Sequence, residues 1–281
     1  MKIAIFSILL LAVTLRVYGQ EIDANKIFEE KEEALIAMQA RVFIAKERFF
    51  KGLSECAKTT YLEMFREASE TSGFPEDKLL EIILLESGCD PTAKNRSGAS
   101  GIGQIMPLTG KNMGLVKYGN IKKTVVARRK GKITRIPVYK KVIVRDDRFN
   151  PKLATMASAK HLAGLAERFG NINNAIWAYH AGEGLVNRFI SVAKKTPGWE
   201  NEDMTPTKLY FIAHSGENPQ LAEMIAKFDS AKHDWTPTYP FRVACAGRLF
   251  KSYLAGTFNP EDFSCSNQET KHELPLDESA H

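Results

Sequence analysis

The chain has 281 residues, 44% of them hydrophobic, and a formal net charge of +6. That length and apolar content suit one substantial core with a smaller appendage and argue against two large domains. The charge is local: residues 117–148 hold twelve Lys or Arg against Asp146 and Asp147, a balance of +10 that leaves −4 for the rest. Such a block marks a binding face or an extended solvated element rather than a general nucleic-acid-binding protein.

In chain order, Lys2, the apolar run 3–15 and Val17-Tyr18-Gly19 read as a signal peptide over residues 1–19, cut before Gln20. A membrane-spanning helix needs roughly 20 apolar residues, and this run is shorter and stops at Arg16. No Cys stands at the cut to take a lipid, and no later segment is apolar enough to span a bilayer. The expectation is an exported, periplasmic or secreted protein without stable membrane insertion.

Residues 21–50 repeat apolar side chains at helical spacing, predicting one long amphipathic helix within an N-terminal extension over 20–60. A helix over 57–70 should stop near Gly73, and Pro75 suits the start of a strongly apolar helix over 77–87. Residues 94–110 are rich in Gly, Ser, Asn and Thr and read as an ordered loop with short helical turns. Residues 124–144 alternate β-branched and basic residues around Arg129-Lys130-Gly131-Lys132, which predicts a β-hairpin. Helical spacing returns over 151–169 and 172–195, then over 218–228 within polar loops, and last over 240–254. A polar tail occupies 256–281.

Cys56, Cys89, Cys245 and Cys265 permit two disulfides in an oxidising compartment, and three pairings are open. With no CxxC and no tight Cys/His cluster, no metal and no cofactor are expected.

Cutting a glycosidic bond needs a proton on the leaving oxygen and stabilisation of positive charge at the anomeric carbon. Glu86 follows Ile82-Ile83-Leu84-Leu85 and ends its helix, so apolar neighbours and the helix dipole both favour a protonated carboxyl. Taken alone, its helix position fits a solvated helix-end Glu better, and the residues after it reverse that reading. Glu86-Ser87-Gly88, Asp90-Pro91, Ala93 and Ser97-Gly98-Ala99-Ser100-Gly101 lead into Gln104-Ile105-Met106-Pro107-Leu108-Thr109. Further on come Asp147 and Pro151, Phe169-Gly170, Ala175, Ala178-Tyr179-His180-Ala181-Gly182-Glu183-Gly184 and Val186, and finally Thr236, Tyr239, Arg242 and Val243. In order and spacing these resemble the signatures of the lytic transglycosylases with a soluble-lytic-transglycosylase domain, across residues 73–254 with two insertions.

The resemblance implies a mainly α, goose-type-lysozyme-like helical domain over 61–255, with insertions at 117–145 (the basic β-hairpin) and 198–235, and the N-terminal helical extension. It implies a peptidoglycan lytic transglycosylase that cuts between N-acetylmuramic acid and N-acetylglucosamine and leaves 1,6-anhydro ends. Glu86 would be acid and then base, with no second carboxylate; Asp90 and Asp147 have bland roles as turn and helix-start residues. Tyr179 is the phenol expected to bond Glu86 or the substrate, Gln104 offers an amide to an acetamido group, and Met106 an apolar wall. Ser97 and Tyr239 match polar positions near the cleft, expected between the Glu86 helix, the 94–109 loop and the Tyr179 helix. Gly98, Gly101 and Gly103 are expected to let backbone approach the sugar or the catalytic helix.

Two features depart from the family pattern. His180 stands where Asn is more common, as an imidazole at the cleft or a structural His. The hairpin is an insertion that would either contact anionic groups of the envelope or be a solvated ribbon with protected edges. The partner implied is the peptidoglycan glycan strand, and no nucleic acid. Rival readings on the same fold are a hydrolysing muramidase and a non-catalytic peptidoglycan-binding protein of an envelope apparatus; Glu86, Gln104 and Tyr179 together favour the enzyme.

Overall fold

The computed structural model describes residues 24–43, 47–129, 132–229 and 236–259. Residues 1–19, expected to be a signal peptide, the hairpin tip at Lys130-Gly131 and the tail from 260 onward lie outside the described residues.

The elements in chain order are α1 (Ala24–Met38), α2 (Ala40–Phe43), α3 (Glu47–Cys56), α4 (Thr59–Ser72), α5 (Glu76–Ser87) and α6 (Pro107–Asn112). The hairpin strands β1 (Val116–Arg129) and β2 (Lys132–Asp146) follow, then α7 (Pro151–Phe169), α8 (Ile172–Ala181) and α9 (Glu183–Ala193). The chain continues with α10 (Pro206–Ser215), α11 (Pro219–Asp229) and α12 (Tyr239–Leu254), with 3-10 turns at Asp147–Phe149 and Thr236–Thr238. The class is mainly α with one inserted hairpin, as expected.

Several boundaries differ from the sequence reading. The single helix predicted over 21–50 is broken after Met38, where Gln39 is buried. Its amide donates to the Leu35 carbonyl at 3.1 Å and accepts from Arg242 Nε at 3.2 Å, so a polar side chain held by tertiary partners interrupts the apolar stripe. The helix predicted over 172–195 is two helices, because Gly182 takes φ 87°, ψ 138°, a conformation open in practice to glycine alone. α10 is an additional helix: the Thr205 hydroxyl caps the Lys208 N–H, Pro206 starts the first turn and Gly216 ends the last. The hairpin extends back to Val116, with a bulge opposite Lys117 and Tyr118.

Contacts divide the chain into two compact units, residues 47–164 and residues 1–46 with 165–281. In the unit 47–164, α5 supplies Leu79, Ile82, Ile83 and Leu84 to a core completed by Leu53, Phe65, Phe74 and Ile102. α3 lies hard against the end of α5: a Cβ on Gly52 would sit 2.8 Å from the Gly88 Cα. A Cys56–Cys89 disulfide fastens the same two segments, with the Cα atoms 5.3 Å apart. That bond selects one of the three open pairings; Cys245, buried in α12, is also disulfide-bonded.

The other unit is organised around Trp177, which is 1% exposed, stacks on Phe189 at 5.3 Å and donates from Nε1 to the Thr236 carbonyl at 2.6 Å. Here α1 is an integral helix. Arg248 grips Glu33 with two bonds of 2.8 and 2.6 Å, and Phe28 meets Trp199 and Phe211 edge-on at 5.9 and 6.1 Å.

Candidate active site

Glu86 stands half-buried in the last turn of α5, a turn closed by Gly88 at φ 64° with its N–H on the Leu84 carbonyl at 3.0 Å. Carbonyls at a helix C-terminus lack intrahelical donors and carry the negative end of the dipole. A cation from α3 answers both needs: Arg48 Nη2 donates to the Ser87 carbonyl at 3.2 Å and the Glu86 carbonyl at 3.4 Å. With the Gly52–Gly88 contact and the Cys56–Cys89 bond, α3 therefore fixes the backbone that carries Glu86.

Asp90 is the turn residue expected, accepting from the Thr92 N–H at 2.8 Å and its hydroxyl at 2.7 Å. Burial pushes the Asp90 carboxyl up, but the two Thr92 bonds with Arg48 and Lys51 bring it below the usual carboxylate value.

The loop after α5 folds back on itself through Ser100 and Ile105, which exchange backbone bonds of 3.2 and 3.0 Å. Gln104 takes φ 45°, and its Nε2 donates to the carbonyls of Gly101 at 3.0 Å and Ala93 at 3.3 Å. The amide nitrogen of Gln104 thus holds the loop. Met106 is 42% exposed, and its Sδ lies 3.9 Å from the Ser97 Oγ, so Ser97 and Met106 share one surface.

A residue absent from the sequence reading fixes this loop. Arg148 is 3% exposed, donates from Nη1 to the carbonyls of Gly98 at 2.9 Å and Ile105 at 2.7 Å, and pairs with Asp146 through Nε at 2.8 Å and Nη2 at 2.7 Å. Its hydrogen bonds hold the Asp146 carboxyl below the usual carboxylate range against a smaller opposing effect of burial. The 3-10 turn is capped by Asp146, while Asp147, expected at the helix start, pairs with Arg145 at 2.9 Å. Of the three loop glycines, Gly101, at φ 75°, makes its close approach to the Arg148 backbone and not to the Glu86 helix, and an added Cβ would overlap the Arg148 carbonyl. The close approach to the Glu86 helix is made by Gly52.

The remaining predicted residues lie in the other unit. Tyr179 is half-buried in α8, and the exposed His180 ring lies flat on Tyr239, with centroids 4.1 Å apart and planes 8° from parallel. Tyr239, expected as a polar group facing the cleft, is 3% exposed and serves as the platform under the imidazole. His180 and Tyr239 are thus brought together, as are Ser97 and Met106. Arg48 carries no local signal, because its target is 38 residues away, and in the sequence Arg148 is one more charge of the basic block. Its position between Asp146-Asp147 and Pro151 was the available clue. A groove of about 550 Å³ lies behind the helix end, lined by Arg48, Lys51, Glu55, Ser87, Asp90 and Thr92, and Glu86 does not line it.

Comparison with known proteins finds a family match over this region. Residues 63–201 match the family model described as Transglycosylase SLT domain, and they hold Glu86 and the whole loop after it. The matched stretch is just under half of the chain. Over 127 residues it is 34% identical to the peptidoglycan transglycosylase gp16 of Escherichia phage T7, a match covering 45% of this chain and 8% of that protein. Among solved structures, the 70 kDa soluble lytic transglycosylase of Escherichia coli is 19% identical with a TM-score of 0.44, over 89% of this chain and 32% of that one. An inactive mutant of the lytic transglycosylase Slt from Pseudomonas aeruginosa is 15% identical with a TM-score of 0.42, over 82% and 31%. The chain thus spans less than a tenth of the phage relative and about a third of each solved chain.

Proposed function

We propose that the chain is a peptidoglycan lytic transglycosylase with Glu86 as its acid and base. The observation that carries the reading is the Glu86 carboxyl at the end of a helix inside the matched Transglycosylase SLT domain, followed by the Ser97 to Met106 loop. In the proposed reaction, protonated Glu86 gives its proton to the oxygen between N-acetylmuramic acid and N-acetylglucosamine, and the C1–O bond breaks. The acetamido group of the muramic acid supports the cationic anomeric carbon, in place of the second carboxylate common in glycosidases. Glu86, now a carboxylate, takes the proton of the 6-hydroxyl as O6 bonds to C1. This closes the 1,6-anhydro ring and restores the acid. Gln104, whose nitrogen already serves the loop, offers Oε1 to an acetamido N–H, while Met106 and Ser97 present a mixed apolar and polar wall. Tyr179 is the phenol proposed for the substrate, and His180, carried on Tyr239, replaces the more common Asn.

Action on the wall requires export, for which the pattern over residues 1–19 is the proposed signal; amino-terminal sequencing of the exported protein should begin at Gln20. The decisive test is digestion of sacculi followed by mass spectrometry. Anhydro-muramic ends are expected, and reducing ends throughout would make the chain a hydrolase. Glu86→Gln should lower the rate by at least about 10²-fold, the low end for a positioned general acid. Cleavage undiminished in that variant would remove Glu86 from the chemistry.

A further inference from the structure

β1 and β2 pair from Val116–Asp146 at the base to Arg129–Lys132 near the tip, and no other named strand exists among the described residues. At about 3.3 Å per residue this ribbon is about 45 Å long, and two strands alone have no second layer to cover either face. Between residues 117 and 145 there are eleven Lys or Arg and no Asp or Glu.

The register sorts the side chains. Ile121, Val125, Ile136 and Val138 share one face with Lys123 and Lys140. The opposite face carries Val126, Ile133 and Tyr139, each about two-thirds exposed, among Lys122, Arg128, Arg135 and Lys141. Edge protection explains lysines on a lone ribbon. It does not explain three large apolar side chains in water on a face that also carries four cations. A polyanionic glycan would satisfy the cations and leave those three wet, whereas the interface of an anionic bilayer offers phosphates and apolar volume side by side.

We propose that this face of the hairpin binds the surface of an anionic phospholipid bilayer. No helix among the described residues is long and apolar enough to cross a membrane, so the attachment is peripheral. It is independent of cleavage, and it would keep a wall-cutting enzyme beside the membrane.

The test is co-sedimentation of the full chain with vesicles of equimolar phosphatidylglycerol and phosphatidylcholine, against vesicles of phosphatidylcholine alone. The mixed vesicles should bind at least about tenfold more tightly, and Lys122→Gln with Arg135→Gln and Lys141→Gln should cost about a hundredfold, taking about fivefold for each cation. Val126→Ser with Ile133→Ser and Tyr139→Ser, which leaves the charge unchanged, should cost about tenfold or more. All these variants should cleave soluble glycan fragments as the parent does, which shows that they fold, and Glu86→Gln should bind vesicles as the parent does. Equal binding to the two vesicle types, or parental binding by the triple serine variant, overturns the proposal. So does salt-sensitive retention on lipid-free sacculi that is lost in the cation variant without any vesicle binding, which would assign the face to a wall polymer. Loss of vesicle binding in Glu86→Gln would likewise remove the lipid site from the hairpin.

Discussion

The loop 91–106 and the ribbon 116–146 belong to the same compact unit, and each is a non-helical stretch rich in positions that helices avoid. Their chemistry is opposite. In the loop the backbone is irregular, so its carbonyls depend on side chains: Gln104 takes those of Ala93 and Gly101, and the buried Arg148 takes those of Gly98 and Ile105. In the ribbon the inward-facing backbone groups pair strand to strand in regular register, the outward-facing ones meet solvent, and cations such as Lys122, Arg135 and Lys141 stand in solvent. Basic residues a few positions apart thus do unrelated work. An irregular backbone recruits its side chains as structure, and a regular one leaves them available to a partner.

The sharpest way to break the contrast is at Gly101. An alanine there must displace the Arg148 carbonyl and occupy φ 75°, so Gly101→Ala should lose more than about 4 kcal/mol of stability in denaturant unfolding, or fail to fold. Next comes Arg148→Met, which strands the buried side of Asp146 and two loop carbonyls and should cost about 3–5 kcal/mol. Arg148→Lys keeps the charge but cannot reproduce a fork that serves Asp146 and both carbonyls, so it should recover only part of the loss. Loss of activity in Arg148→Lys beyond its loss of stability would place the loop geometry on the path to catalysis.

How much of this was legible in the sequence depends on the range of the interaction. α4 and α5 end and start where Gly73 and Pro75 say they should, and the alternation through 124–144 announces the hairpin, because these signals act over one turn or one strand pair. α10 was equally legible through Thr205-Pro206 and Gly216, but its polar surroundings masked the pattern. What could not be read is tertiary: the break at Gln39 depends on Arg242, 203 residues away, and the cap on Glu86 depends on Arg48. Of the candidate site, the order of motifs pointed to Glu86 and its loop. The burial of Tyr239 under His180 is invisible until α8 and α12 are packed.

A smaller effect reports on Asp146. Its carboxyl is held below 3.8 mainly by hydrogen bonds from Arg148, so the pair contributes fully above that ordinary value and is lost as pH falls through the lowered one. The stability difference between the parent and Asp146→Asn should therefore be constant above about pH 5 and shrink toward acid, measured by unfolding at a series of pH values. A difference that grew toward acid would mean that Asp146 is stabilised protonated, contrary to its bonds with Arg148.

The smallest effects are expected on the ribbon, and their smallness is the point. Val126 is 66% exposed, so Val126→Ser removes little buried surface and should change stability by no more than about 0.5 kcal/mol. Lys141 lies 4.8 Å from the Tyr118 ring centroid, and Lys141→Gln should cost about 0.5–1 kcal/mol, the worth of an exposed cation–π contact. Thermal unfolding of both variants checks this, and a loss of 2 kcal/mol or more from Val126→Ser would mean that the ribbon face is packed against protein. Its cations and apolar side chains would then be structural, like Arg148. Near-neutral substitutions instead leave Val126 and its neighbours without a folding role, which is the condition under which an external partner can account for them.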